Sequence, residues 1–278
     1  MAPFFNPSWY YLEQEGYLAQ ACLCNGLTAL RNANLGDKKG NFYSAFFELS
    51  IGFERMMKLI FILDCLAEND LIPPTEDEVR KLGHELTTLF LRTKEICQRR
   101  CPGVLSKFKD DELGVKLLKF LHQFAKSAGR YSNLNKLTCG RQQHVQDPLE
   151  QWAHVVTEII FNQASKRERQ RIQASEAIAH QDLHGVALSL ICHLDQTSLG
   201  VGDFFRKASE LDIASKYAAF ALVSLIENLR EPLGLATQAA QIINISMDRS
   251  SAAIPHMDEF FQFAWADKRH TLNKRRWP

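Results

Sequence analysis

The chain has 278 residues, of which 46% are hydrophobic and 23% are charged. These proportions are typical of a soluble globular protein that buries a substantial core, and the length fits one large domain or two small ones. The formal net charge is only +1. This excludes a molecule that attracts nucleic acid or membrane through its overall charge, so any surface for such a partner has to be local.

The N-terminal sequence and the cysteines bear on where the protein works. Residues 1–16, MAPFFNPSWYYLEQEG, lack a basic segment followed by an apolar core, so we expect no secretory signal. No apolar run approaches the roughly 20 residues that span a bilayer, so we expect no membrane insertion. The seven cysteines form no paired CxxC motifs. Their pattern indicates reduced thiols and predicts a cytoplasmic protein.

Motifs for the common cofactors are missing from the sequence. There is no GxxxxGK[ST], GxGxxG, HExxH or GxSxG motif, which argues against common NTPases, dinucleotide enzymes, zincins and α/β-hydrolases. Cys97 and Cys101 lack further metal ligands nearby. His180 and His184 could share a helix face, but Asp182 would point elsewhere. We therefore expect neither a cofactor nor a metal.

Hydrophobic residues recur at spacings of three and four along most of the first half, which predicts helices. Thr75 and Glu78 have the spacing of a capping box and should begin the third of them. The predicted helices of this half span about Leu12–Asn32, Asn41–Glu68, Thr75–Pro102 and Asp110–Ala128. The polar segment from Arg130 to Asp147 follows, and it is the best candidate for a functional loop or for a domain boundary. Residues 1–147 would form one helical domain, and residues 148–278 either a separate helical extension or part of the same bundle.

The second half shows the same helical spacing. Pro148 is suited to the first turn of a helix, and later helices are predicted at about Leu183–Leu194, Leu211–Asn228, Leu233–Ser246 and His256–Ala266. Sustained alternation of apolar and polar residues, which would indicate strands, is missing. The sequence therefore predicts an all-α antiparallel helical bundle with additional C-terminal helices.

The second predicted helix carries three charges, Glu54, Arg55 and Lys58, in the middle of a mostly apolar run. Charges in such a place cost free energy unless they are paired, so neighbouring groups should satisfy them. Glu54 and Lys58 are four residues apart in the favourable order for an ion pair.

Three segments are candidates for contact with a polyanion. Residues 166–171, KRERQR, form either a solvated helix face or a patch for phosphates. The tail combines basic residues with Trp277, which suits either a nucleic-acid backbone with a stacked base or a disordered solvated end. Arg130 either binds a phosphate beside polar neighbours or pairs with a buried acid such as Glu54. The predicted RNA contacts are Tyr131, Asn133, Lys268, Arg269, Lys274, Arg275 and Arg276.

Three stretches together resemble a known superfamily. They are NFYSAFFELSIGFERMMKLIFILD at residues 41–64, RKLGHEL at residues 80–86 and RYSNLN at residues 130–135. Over about residues 38–140 they resemble HEPN domains, the helical-bundle domains of prokaryotic toxin–antitoxin, abortive-infection and CRISPR systems. The resemblance implies a HEPN-like core that binds or cleaves RNA.

Active HEPN proteins are metal-independent ribonucleases in which an arginine is followed at a short interval by a histidine, and two protomers commonly face each other at one site. The imidazole exchanges protons with the RNA, and the guanidinium holds the phosphate. Arg249 and His256 have a suitable interval, with six residues between them. Arg130 and His84 are the second candidate pair, brought together in space. The resemblance also implies a homodimer or a protein partner from the same system.

The sequence is compatible with two other functions. A non-catalytic helical module could form a homodimer or bind a protein partner, with residues 166–171 at the rim of the interface. A small-molecule enzyme with a pocket between helices is the third possibility. The Glu-x-x-His pairing of di-iron bundles is missing, because Glu48, Glu54 and Glu85 have no histidine three residues later.

Overall fold

The chain folds into helices. A computed structural model describes residues 7–126, 147–183, 191–247, 254–265 and 267–278, and no β-strand is formed within these ranges. The expected all-α fold is thereby confirmed. The helices are α1 Pro7–Asn32, α2 Gly40–Glu68, α3 Glu76–Lys81, α4 Leu86–Arg100, α5 Val104–Asp110, α6 Glu112–Lys126, α7 Pro148–Gln163, α8 Lys166–Leu183, α9 Val201–Ser246, the 3-10 helix η1 Met257–Ala264 and α10 Lys268–Asn273.

Buried aromatic residues join the two sides of the predicted boundary at residue 147. The Trp152 ring on α7 lies 5.4 Å from Phe46 on α2 and 5.5 Å from Phe120 on α6, measured between ring centroids. All three side chains belong to one hydrophobic core. No helix in the described ranges is long and apolar enough to cross a membrane.

The prediction of two helices over residues 211–246 is wrong, because α9 runs without interruption from Val201 to Ser246. Pro232 lies inside it and removes one backbone hydrogen bond. However, α9 packs against α1, α2, α4 to α8, η1 and α10, and both Leu229 and Leu233 are fully buried. Packing on several sides stabilises the helix more than the lost bond destabilises it.

Two other predicted boundaries differ from the structure. The third predicted helix is divided into α3 and α4, because Gly83 takes a positive φ of 64° that ends a helix. The capping box before α3 is confirmed: Glu78 Oε2 accepts from Thr75 N at 2.7 Å. Most of the helix predicted over Leu183–Leu194 lies outside the described residues, at 184–190, and the prediction is wrong for its last residues, 191–194. There, His193 N donates to Thr197 O and forms a turn.

Close contact between α1 and α2 depends on glycine. The helices run antiparallel, and Gly52 of α2 lies directly against Leu23 of α1. A Cβ atom built at position 52 would lie 2.6 Å from Leu23 Cγ and 3.0 Å from the Leu23 backbone nitrogen. A real side chain therefore fits only if the two helices separate.

We expect the Gly52→Ala substitution to lower the free energy of unfolding by about 1–3 kcal/mol, because overpacking outweighs the gain in helix propensity. Urea unfolding followed by circular dichroism would measure it. Gly40→Ala is the matched control, because a Cβ there meets nothing within 4 Å, and it should be neutral or slightly stabilising. Equal effects at both positions would contradict this account.

Asp111 precedes α6, and its carboxylate lies in an environment that is unfavourable for a negative charge. Its Oδ1 atom accepts from Gly114 N at 3.0 Å, whereas Oδ2 is buried with no hydrogen-bond partner in the described part of the chain. Burial raises the pKa of Asp111 to about 6. The charged carboxylate is therefore disfavoured in the folded state.

We expect Asp111→Asn to raise the melting temperature at pH 7.5 but not at pH 3.5. Because the pKa of Asp111 is raised in the folded state, its contribution to stability is fully present below pH 3.8. That contribution is lost as the pH rises through about 6. Asparagine keeps the cap without the charge. Thermal unfolding of both proteins at both pH values tests this. The prediction would be contradicted if the substitution changed the melting temperature equally at pH 7.5 and at pH 3.5.

Candidate functional site

An exposed histidine lies against the charged centre of α2. The Nδ1 atom of His84 is 2.8 Å from Glu54 Oε1, and Lys58 Nζ donates to the same oxygen at 2.8 Å. The Glu54 and Lys58 side chains are about four-fifths buried, whereas that of His84 is 85% exposed. A mostly buried carboxylate thus holds an imidazole that projects into solvent.

This contact decides which ring nitrogen of His84 is available. An ionised carboxylate can only accept a hydrogen bond, so Nδ1 carries the proton that is donated to Glu54. In the neutral imidazole, Nε2 then keeps its lone pair and can accept a proton from a substrate. The arrangement of acid and histidine is the one that orients a general base in many hydrolases.

The local backbone explains why His84 projects. Gly83 takes a left-handed conformation at φ 64°, which glycine adopts without steric cost, and it turns the chain between α3 and α4. Two residues after His84, α4 begins at Leu86, which is fully buried. His84 is therefore fixed between a glycine turn and a buried anchor while its own side chain stays outside.

Residues next to Glu54 and next to His84 in the chain also form ion pairs. Arg55 Nη1 lies 2.5 Å from Glu15 Oε2 on α1, so the three charges at the centre of α2 are all paired, as the sequence predicted. Oε1 of Glu85, the residue after His84, accepts from Lys126 Nζ at 2.7 Å. This ammonium lowers the pKa of Glu85. Two ammonium groups thus form ion pairs: Lys58 with the carboxylate that His84 contacts, and Lys126 with the carboxylate of the residue after His84.

Several predicted site residues lie outside the described part of the chain: Arg130, Tyr131, Asn133 and Arg249. Their pairing with His84 or His256 stays a prediction. Arg130 is four residues after Lys126 in the sequence. His256 precedes η1 and is exposed, and its Nδ1 atom lies 3.5 Å from Gln241 Nε2. No carboxylate contacts His256 among the described residues, in contrast to His84.

The basic tail is ordered and packed, so a disordered solvated end is not what the structure shows. Trp277 is only 4% exposed, and its backbone nitrogen donates to Thr28 Oγ1 at 3.0 Å. The predicted role of Trp277 as a stacking surface for a base is therefore wrong. Local composition predicts an exposed aromatic, but the ring fills a space next to α1.

The two basic segments meet at Asp212 on α9. Arg275 Nη2 lies 2.7 Å from Asp212 Oδ1, Arg171 Nη2 lies 4.0 Å from Oδ2, and Arg31 Nη1 lies 3.7 Å from Oδ1. One carboxylate therefore faces three guanidinium groups. We call Arg31, Arg171, Arg275 and Asp212 the basic junction, and it carries a formal excess of two positive charges.

The remaining predicted RNA contacts lie around α10 and the tail. Lys268 Nζ is 5.3 Å from the centroid of the Phe220 ring, and Lys274 Nζ is 5.7 Å from that of Trp277. Arg269 and Arg276 are exposed. These cations add to the basic junction, although Lys274 and Lys268 lie partly over aromatic rings of the protein itself.

Sequence reasoning missed the link between His84 and Glu54. The sequence indicates the i,i+4 pair of Glu54 and Lys58. It does not indicate that His84 contacts Glu54, because 30 residues separate these two residues in the chain. Lys126 and Glu85 were also missed. Comparison with known proteins supplies no further guide: no protein-family model, no curated protein and no solved structure matches this chain.

Proposed function

We propose that the chain is a HEPN-like RNA-binding protein of a prokaryotic defence or toxin–antitoxin system. His84 would be the active residue of a metal-independent RNA cleavage. The observation that supports this most is the exposed imidazole held by Glu54 at 2.8 Å, with Lys58 on the same carboxylate oxygen. An oriented base with an ammonium group on the same carboxylate supports the proposal, because phosphodiester cleavage by a 2′-hydroxyl needs a base and a cation for the phosphate.

The chemistry assigned to His84 is a proton transfer. Nε2 takes the proton of a ribose 2′-hydroxyl while the 2′-oxygen forms a bond to the adjacent phosphorus and the bond from phosphorus to the 5′-oxygen breaks. The departing 5′-oxygen takes up a proton from water, and the His84 imidazolium gives its proton to the hydroxide that remains. The products are a 2′,3′-cyclic phosphate and a 5′-hydroxyl. Lys58 has three N–H donors and uses one on Glu54, so the others can stabilise charge on the phosphate.

The basic junction supports RNA as the substrate class. Its three arginines face one acid, and Arg171 and Arg275 are more than half exposed. Guanidinium groups bind phosphates through two parallel hydrogen bonds. Because Trp277 is buried, this surface would hold the RNA backbone through charge and not through base stacking, so binding should weaken as salt rises.

Incubation of the purified protein with a labelled single-stranded RNA in EDTA tests the proposal. A DNA of the same sequence is the control, because it lacks the 2′-hydroxyl that the reaction consumes. We expect fragments from the RNA alone, ending in a cyclic phosphate. Intact RNA, cleaved DNA or a 5′-phosphate end would each contradict the assignment, and intact RNA that still binds would favour the non-catalytic interaction module.

The pair Arg249 and His256 stays the competing prediction for the active residues. The same RNA assay with His84→Ala and His256→Ala separates the two, since only the residue that exchanges the proton is essential. The proposed homodimer is tested by sedimentation of the whole chain over a range of concentrations, and a monomer at every concentration would contradict it.

A further inference from the structure

The long helix α9 carries an unusual exposed strip at its C-terminal end. Glu227, Glu231, Gln238, Ile242 and Ile245 are all exposed, and at 100° per residue they fall within a sector of about 60°. From the first to the last of them the helix rises through 18 residue steps, a length of about 27 Å. We call these five residues the α9 strip. It is acidic at its first two positions and aliphatic at its last two.

The aliphatic part is larger than isolated surface residues explain. Ile242 and Ile245 are 64% and 75% exposed, and Met247 follows at 41%. Single apolar side chains on a surface are ordinary, but adjoining ones mark a place where another molecule binds. The spacing of three residues puts both isoleucines on one side of the helix.

A cleft opens beside the acidic part of the strip. It has a volume of about 540 Å³ and lies between α5, α9 and η1, with Trp265 at its edge. The Trp265 ring rests on the guanidinium of Arg230, whose Cζ atom is 3.9 Å from the ring centroid. Trp265 nevertheless remains 64% exposed, so one part of the indole is held by the protein and the rest faces solvent.

Arg230 acts as a fixed support for this tryptophan. Its side chain is only 5% exposed, Nε donates to Asp258 O at 3.1 Å, and Nη2 lies 3.7 Å from Asp258 Oδ2. Burial lowers the pKa of Arg230, and Asp258 and Glu227 oppose that change. An exposed tryptophan on a rigid support loses little conformational entropy when a partner covers it, which is a property of binding hot spots.

The charges around the cleft indicate the chemistry of the partner. Glu227, Glu231 and Asp258 contribute three negative charges, and Lys107 and Arg230 contribute two positive charges, so the net charge is −1. Lys107 is engaged with Glu231 at 2.5 Å. The outer face of an indole also attracts cations. A basic side chain is therefore favoured here and a phosphate is not.

We propose that the α9 strip and Trp265 bind an amphipathic helix of a partner protein, with basic residues at one end of its apolar face. The apolar residues would cover Ile242 and Ile245, and a lysine or arginine would lie between Trp265 and Glu227. A partner helix of about 18 residues matches the 27 Å length of the strip. This surface is independent of His84, so the proposal does not rest on the ribonuclease assignment.

Binding of two synthetic peptides tests the proposal. One is an 18-residue amphipathic helix of leucine and lysine, and the other has glutamate in place of every lysine. Measured by fluorescence anisotropy with the full chain, the lysine peptide should bind at least about tenfold more tightly. Glu227→Lys should remove that preference, and Ile245→Ser should weaken both peptides.

Ile178→Ser is the matched control, since Ile178 is 59% exposed on α8, and it should leave binding unchanged. Equal binding of the two peptides, or an equal loss in the Ile178 and Ile245 variants, would overturn the proposal. It would also be overturned if sedimentation showed a dimer that Ile245→Ser dissociates, because the occupant would then be a second copy of this chain.

Discussion

Replacing His84 with alanine is expected to lower the rate of RNA cleavage by at least about 100-fold, because a positioned general base contributes 10²–10⁴. The Glu54→Gln substitution should lower the rate of RNA cleavage by about tenfold or more. A glutamine amide can present its N–H₂ group to Nδ1 of His84, which favours the tautomer with the proton on Nε2. Single-turnover rates with saturating protein would separate this loss from any change in RNA affinity.

The control for this experiment is His154→Ala. His154 is exposed on α7, and its loss should leave cleavage unchanged. Melting temperatures of the wild type, His84→Ala and His154→Ala should agree within a few degrees, because both histidines are exposed. Full activity of His84→Ala together with inactivity of His256→Ala would move the active site to Arg249 and His256.

Replacing Asp64 with alanine is expected to lower the free energy of unfolding by about 3 kcal/mol. The Asp64 side chain on α2 is only 5% exposed, and its two oxygens lie 2.6 Å from Arg99 Nη2 and 2.6 Å from Arg100 Nε on α4. Removing the carboxylate leaves the Arg100 guanidinium, which is 19% exposed, without its main partner. Breaking a buried ion pair in this way is strongly destabilising.

Glu68→Ala provides a matched control for Asp64, because Glu68 contacts the same two arginines. Its Oε1 atom is 2.6 Å from Arg99 Nη1 and 3.7 Å from Arg100 Nη2, but its side chain is 47% exposed. An exposed pair contributes at most about 1 kcal/mol. Urea unfolding of both variants measures the difference, and equal losses would show that burial of Asp64 does not set the size of the effect.

The sequence predicted the fold class because helical spacing is a local property. The spacing of apolar residues and the capping box at Thr75 depend on neighbours within one or two turns. The ends of helices depend more on tertiary structure. Pro232 suggests a helix end by its own chemistry, whereas packing around α9 keeps the helix intact. Gly83 appeared inside a helical pattern, and only its positive φ shows that it divides α3 from α4.

The candidate site was predictable only in part, since it is built from contacts between distant segments. The spacing of Glu54 and Lys58 indicated an ion pair, and the pair is present. That His84 shares Glu54 depends on how α3 and α4 fold back onto α2, which no local pattern determines. The prediction of an exposed Trp277 ring is wrong for the same reason. Its basic neighbours in the sequence favour exposure, but tertiary packing buries the ring.

The hydrogen bonds between the C-terminal tail and α1 affect the order in which the chain can fold during synthesis. Arg31 Nε donates to Lys274 O, and Trp277 N donates to Thr28 Oγ1. The first contact joins residues 243 positions apart. At roughly 5–20 residues per second, Lys274 is added about 12–49 s after Arg31. The C-terminal end of α1 therefore forms these two contacts only after that interval, and the surface that the tail covers is accessible to chaperones until then.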